Sequence, residues 1–148
     1  MTVFLPALIF GPPIEPVKDA KHLHYSSRII YSFFDGSNAT VPATSFPSYI
    51  DVRDLAEAHV KALTTDGAKN KRFLLGGMTV TYTDLVRSLA KVPQLAGRLP
   101  AESGEDADVV RPRIEAKEGN EVLSMKFRTL DETMRDAAER ILELEKLN

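Results

Sequence analysis

With 148 residues, 43% of them hydrophobic, the chain is long enough for one compact domain with a sizeable core and too short for two. Its 19 Lys and Arg against 21 Asp and Glu leave a formal net charge of -2 without a long run of either sign, which argues against a nucleic-acid or anionic-lipid surface. The absence of cysteine removes disulfides and thiolate metal sites and fits a reducing, cytoplasmic setting.

The first element is a nearly continuous apolar run, Val3 to Phe10, closed by Gly11-Pro12-Pro13. Such a run reads as a strand buried on both faces of a parallel sheet, because a half-exposed strand alternates. It lacks the basic leader of a signal peptide and is too short to cross a bilayer. Pro6 cannot donate to a ladder, so the strand is predicted to be interrupted there. A helix is predicted from Asp19, a capping residue, to about Phe34, with Leu23, Ser26, Ile30 and Phe33 on one stripe and Asp35-Gly36 as its stop. Ser37 to Pro47 consists of turn formers and small polar residues and reads as a surface loop. Asn38-Ala39-Thr40 within it matches the glycosylation acceptor pattern, a short motif of little weight without a secretion signal.

Tyr49 and Ile50 lead into a second helix opened by Asp51, with Asp54 in its first turn and Val52, Leu55, Ala56, His59 and Leu63 on its apolar face. Arg72 to Leu75 is a short strand ended by Gly76-Gly77. Thr81-Tyr82-Thr83-Asp84 starts a helix that buries Leu85 and Leu89 and stops by Pro93. Pro100 to Pro112 is rich in Glu, Asp, Ser and Pro and reads as a mobile connection. The last helix begins with the capping-box pattern Thr129-Leu130-Asp131-Glu132 and carries Met134, Ala137, Ile141 and Leu144 on one face. Asp136 with Arg140 and Arg135 with Glu139 form complementary pairs on its wet side.

Three segments in this order, Pro6-Ala7-Leu8-Ile9-Phe10-Gly11-Pro12, Tyr49-Ile50-Asp51-Val52-Arg53-Asp54-Leu55-Ala56 with Ala58-His59, and Lys126-Phe127-Arg128-Thr129-Leu130-Asp131-Glu132-Thr133, give the chain a family likeness. It resembles the extended short-chain dehydrogenases, nearest to the fungal methylglyoxal and aldehyde reductases and the dihydroflavonol and cinnamoyl-CoA reductase group. The resemblance runs from Val3 to Glu145. Ser124-Met125 stands where relatives show Gly-Phe.

The resemblance implies an α/β fold: the last strands of a Rossmann-type parallel sheet plus a mostly helical substrate-binding lobe. Residues 1–148 then form a single carboxyl-terminal substrate-binding part, with the nucleotide-binding half absent. It further implies an NADP-dependent carbonyl reductase in which Pro6, Ala7 and Leu8 lie against the nicotinamide. Ser26 matches a position that reaches the cofactor phosphates, and Leu5 and Ala7 lie close to the reacting carbonyl. Phe46 belongs to an aromatic group, with Tyr31, Phe33 and Phe34, that either lines the substrate pocket or forms core.

Two motifs of the family's chemistry are not in this sequence. A glycine-rich turn at a helix start seats the pyrophosphate, and no Gly-x-x-Gly-x-x-Gly occurs. Carbonyl reduction uses a tyrosine with a lysine four residues on, whereas Tyr25, Tyr31, Tyr49 and Tyr82 are followed at that spacing by Ile29, Asp35, Arg53 and Val86. The chain on its own is therefore expected to be catalytically incomplete, with no cofactor bound. The rival reading is a non-catalytic binding or regulatory module derived from the same family, and a sugar-nucleotide epimerase relative is a third. If strand Val3–Phe10 pairs with Arg72–Leu75 on one side, its other edge is open, and the chain is expected to self-associate through it or to leave its first dozen residues disordered.

Plainer roles compete with the sharper ones. Asp51 and Asp54 are explained by helix capping and Arg53 by local ion pairing. His59 reads as a core histidine with a satisfied hydrogen bond. His22 and His24 point to different sides of their helix and make no metal site. Ser26 serves equally as a small residue for helix packing.

Overall fold

The computed structural model describes residues 1–14, 17–76, 78–104 and 114–147. The apolar run at the start is divided, as expected, but at Ala7 and not at Pro6, which remains paired in register with Leu75. β1 (Val3–Pro6) and β2 (Leu8–Phe10) are separated by Ala7, and they belong to different sheets. β1 pairs in parallel with β4 (Arg72–Leu75), whereas β2 pairs in parallel with β3 (Ser48–Asp51), which pairs antiparallel with β5 (Met78–Thr79). The β1–β4 ladder continues through Ala7 N–H, which donates to Leu75 O at 2.9 Å, before the chain switches partners at Leu8. Val3 also donates to β4's side, to Lys71 O at 3.0 Å. In a parallel pair alternate residues bond to the same neighbour, so Phe4 and Pro6 turn their backbone groups to the opposite edge. The missing proline amide costs the ladder nothing there.

Residues of β2 and β3 alternate between two hydrophobic cores. Phe10 and Tyr49, with Leu8 against them, enter a large core with Ile30, Phe33, Phe34, Leu85, Leu89, Met134 and Ile141. Ile50, with Ile9 against it, enters a smaller one with Ala58, Phe73, Leu75 and Leu123. Period-two geometry puts neighbouring side chains on opposite faces, and here both faces are covered. This accounts for the apolar reading of Leu8 to Phe10, whereas β1 departs from the expected two-sided burial, with Leu5 and Pro6 exposed.

The large core is built by α1 (Tyr25–Ser32), α3 (Tyr82–Leu89) and α5 (Leu130–Glu145), with α5 packed against both others. The helix anticipated from Asp19 is shorter at its start. Asp19 caps a single 3-10 turn, Ala20–His22, by accepting from Lys21 N, and Leu23 then leaves helical geometry before α1 begins. The starts of α3 and α5 are the capping boxes Thr81/Asp84 and Thr129/Glu132, each closed in both directions. Met134, Ala137, Ile141 and Leu144 of α5 are buried as anticipated.

The smaller core is built by β1, β4, α2 (Val52–Ala62) and α4 (Lys117–Val122). Asp51 ends β3 and caps α2 with no intervening loop. Gly11, just after β2, has φ 135, and a Cβ there would meet Val52 Cγ1 at 2.8 Å. At Gly119 a Cβ would come within 3.1 Å of Phe73 Cβ, so a bare backbone lets α4 lie on β4.

Four features of the sequence reading are corrected. β3, β5 and α4 were not foreseen. The buried side of α2 is Asp54 and Ala58, while Val52 and Leu63 are exposed. His59 is an exposed residue, its Nδ1 bonded to Leu55 O at 2.8 Å and its ring edge-on to Phe4 at 4.8 Å. On α5, Asp136 pairs with Arg53 and Arg135, and Arg140 with Glu143, in place of the two i,i+4 pairs. The acidic connection falls mostly on residues 105–113, outside the described residues.

Candidate substrate-side cleft

Where the chain crosses from one sheet to the other, the carboxyl ends of β1 and β4 part from β3. A cleft of about 460 Å³ opens there between Pro6, Ala7 and Leu8 on one side and Phe46, Pro47 and Ser48 on the other, with Ile114 completing its lining. Crevices beyond strand ends at a change of strand partner are the usual ligand sites of open α/β sheets. Among the described residues that line it, none is charged, and Ser48 carries the one hydroxyl. That hydroxyl donates to Met78 O over a long 3.3 Å. Phe46, 59% exposed, stands at the surface and leaves the core to Tyr31, Phe33 and Phe34, all buried.

Of the residues singled out in the sequence, Pro6, Ala7, Leu8 and Phe46 come together in this cleft. Leu5 lies on β1 beside it, partly exposed. Ser26 is half-buried in the first turn of α1 and is not among the lining residues. Pro47, Ser48 and Ile114 were missed. Ser48 begins a strand of four residues that runs straight into a helix, and no turn signal marks it off.

The wall is held from behind by buried ion pairs. Asp51, 1% exposed, accepts from Arg53 N at 2.8 Å, from the Arg53 guanidinium at 2.8 and 3.0 Å, and from Thr133 Oγ1 at 2.8 Å. Burial works against the Asp51 carboxylate, yet the hydrogen bonds from Arg53 and Thr133 hold its pKa below the ordinary value. Arg53 reaches on to Asp136 at 2.6 Å and so ties the start of α2 to α5. Asp54, also 1% exposed, accepts the backbone N–H of Arg128 at 2.9 Å and pairs with its guanidinium. Both carboxylates are therefore structural, as capping had implied, with partners far along the chain as well.

Tyr49, the tyrosine nearest the cleft in sequence, is 2% exposed, and its hydroxyl contacts Met78 Sδ at 3.9 Å. Burial pushes its pKa up to about 12, which unsuits it as a proton donor at neutral pH. The lining can bind and orient an apolar ligand and exclude water. Among its described residues it holds no group that moves a proton. No helix among the described residues is long and apolar enough to cross a membrane.

No family model matches the chain. The NADPH-dependent methylglyoxal reductase of Saccharomyces cerevisiae is 30% identical in an alignment that covers 98% of this chain and 44% of that protein. An oxidoreductase of Schizosaccharomyces pombe is 32% identical over 94% of this chain and 41% of its own. The crystal structure of Gre2 from Candida albicans in complex with NADPH superposes with a TM-score of 0.82 at 31% identity, covering 97% of this chain and 44% of that one. The chain is a homologue of the methylglyoxal reductases, in the extended short-chain dehydrogenase family. It spans less than half the length of these relatives. Among short-chain dehydrogenases the likeness extends, as a fold only, to the UDP-glucose 4-epimerase of Thermotoga maritima, with a TM-score of 0.66 at 18% identity.

Proposed function

We propose that this chain supplies the substrate-side, carboxyl-terminal part of an NADPH-dependent carbonyl reductase acting on an aldehyde or ketone. The apolar cleft at the change of strand partner carries this reading, and the likeness to reductases named for NADPH and methylglyoxal supports it. Backbone at Pro6 to Leu8 then meets the nicotinamide end of the coenzyme. The fit is good at that end. Pro6 has no N–H and Ala7 N–H is committed to Leu75 O, so the segment offers a flat apolar wall. Leu5 and Phe46 flank the substrate, and Ser26 serves the phosphates. Bound NADPH would supply the hydride, and these residues would orient the carbonyl and keep water away from it.

The phosphate end fits poorly, since the sequence has no glycine-rich turn, and the reacting end lacks a proton donor, since no tyrosine is followed four residues on by lysine. The isolated polypeptide should therefore bind NADPH weakly and reduce no carbonyl. Calorimetry with NADPH and a coenzyme-oxidation assay with methylglyoxal test this directly. Tight binding or turnover by the purified chain overturns the incompleteness. In an NMR titration with a simple ketone, shifts clustered at Pro6–Leu8 and Phe46–Ser48 support the cleft, and an unperturbed cleft refutes it.

A further inference from the structure

Residues 41–47, which lead into the cleft wall, belong to no strand or helix, yet their end is fastened on both sides to the start of α3. Tyr82 is the first residue of α3, and its backbone N–H is one of those that a helix leaves without an internal partner. Thr44 Oγ1 accepts it at 2.6 Å. The hydroxyl of the same tyrosine is hydrogen-bonded to Ser45 Oγ at 2.7 Å. Beyond the next residue, Pro47 O accepts Val80 N–H at 3.1 Å. Phe46 is the single residue between these fastenings.

The α3 end of the fastening is firm. Tyr82 is buried, and its ring stands edge-on to buried Phe33 with centroids 5.5 Å apart. A side chain locked in this way gives the loop a fixed point whose ordering the core has already met. Phe46 differs, for it is mostly exposed and belongs to neither hydrophobic core. Its place over the cleft is set by its neighbours in the chain. With the nicotinamide against Pro6 to Leu8, as proposed above, the opposite wall of Phe46, Pro47 and Ser48 is the one that meets substrate.

We infer that Tyr82 is a positioning residue of the substrate cleft: through Thr44 and Ser45 it fixes Phe46 across from Pro6 to Leu8, and so sets how closely the apolar group of a carbonyl compound is held. Tyr82 is not among the described residues that line the cleft and acts only through the loop. This deepens the substrate-side reading above and rests on it.

Tyr82→Phe keeps the ring on Phe33 and the backbone N–H on Thr44, and removes only the bond to Ser45. Ser45→Ala removes the same bond from the exposed side and leaves the core untouched. In NMR relaxation of the full chain, the amides of Ser45 and Phe46 should have order parameters of about 0.85 that fall toward about 0.6 in both variants. Benzylacetone, titrated by NMR, should bind each variant about fivefold more weakly than wild type, and the double variant no more weakly than either single one. A tyrosine that merely stabilises α3 would lower the melting temperature but leave the Phe46 amide and the ketone affinity unchanged, and that result overturns the proposal. So does weakened binding in Tyr82→Phe beside full affinity in Ser45→Ala. If wild type binds no benzylacetone, the substrate-side reading falls, and the order of Phe46 decides the positioning by itself. Should Tyr82→Phe fold poorly, Ser45→Ala decides both.

Discussion

Asp54 and Arg128, 74 residues apart, form the join between the first turn of α2 and the segment that leads into α5. The carboxylate is 1% exposed and receives both the backbone N–H and the guanidinium of the arginine. Removing it leaves a buried N–H without an acceptor and a cation without its partner. Asp54→Ala should cost about 3 kcal/mol, and Asp54→Asn, which keeps an acceptor for the N–H, about 1 kcal/mol. Urea denaturation of the three proteins measures both. Equal stability of wild type and Asp54→Ala would show that the pair is ornamental.

Acid should unfold the chain through Asp51 and Asp136. Arg53 pairs with both, and each has its pKa below the ordinary value of 3.8, against the opposing effect of burial. A carboxylate lowered in the folded state contributes stability above its unfolded pKa and loses it as pH falls through the lowered native one. Stability should thus be flat from neutral pH to about pH 5 and fall steeply below about pH 4. Denaturation midpoints measured across that range check the sign. In Arg53→Met the fall should be shallower, because the lowering is gone.

Ser124 occupies the left-handed region, with φ 47, one residue beyond the C-cap of α4. Ser124 N donates to Glu121 O at 3.1 Å and Met125 N to Asn120 O at 2.9 Å, which is the Schellman arrangement that glycine closes without strain. Ser124→Gly should therefore raise stability by about 0.5–1 kcal/mol, although glycine ordinarily destabilises a fold. Thermal melts decide it, and a lower melting temperature would count against a strained serine.

The outer edge of β1 offers the backbone groups of Phe4 and the carbonyl of Pro6, and among the described residues no strand pairs there. Leu5 and Leu74, partners in register, add 36% and 45% exposed side chains to the same sheet. Edges of this kind draw other strands. Sedimentation velocity should show association that grows with concentration and weakens in Leu5→Lys. A monomer at every concentration, with β1 protected from hydrogen exchange, would refute it.

Local chemistry made much of the fold legible. Thr81 and Thr129 announced their helices because a capping box is written within four consecutive residues, and Arg72–Leu75 was closed by Gly76-Gly77. Long-range decisions stayed hidden. Asp54 reads as a first-turn carboxylate until Arg128 is seen beside it, so the buried face of α2 was assigned to Val52 and Leu63 instead. α4, Lys-Glu-Gly-Asn-Glu-Val, has no apolar stripe and owes its place to Gly119 lying on Phe73. Half of the cleft, Pro6 to Leu8 and Phe46, came from the family likeness. Ser48 and Ile114 had no signal in their spacing, because they meet only through folding.

Tyr49 and Ile50 are adjacent in the chain yet serve different interiors. Neither interior can loosen while the shared ribbon of β2 and β3 stays rigid. Damage to one should therefore be felt in the other, and the chain should melt in a single step despite its divided hydrophobic centre.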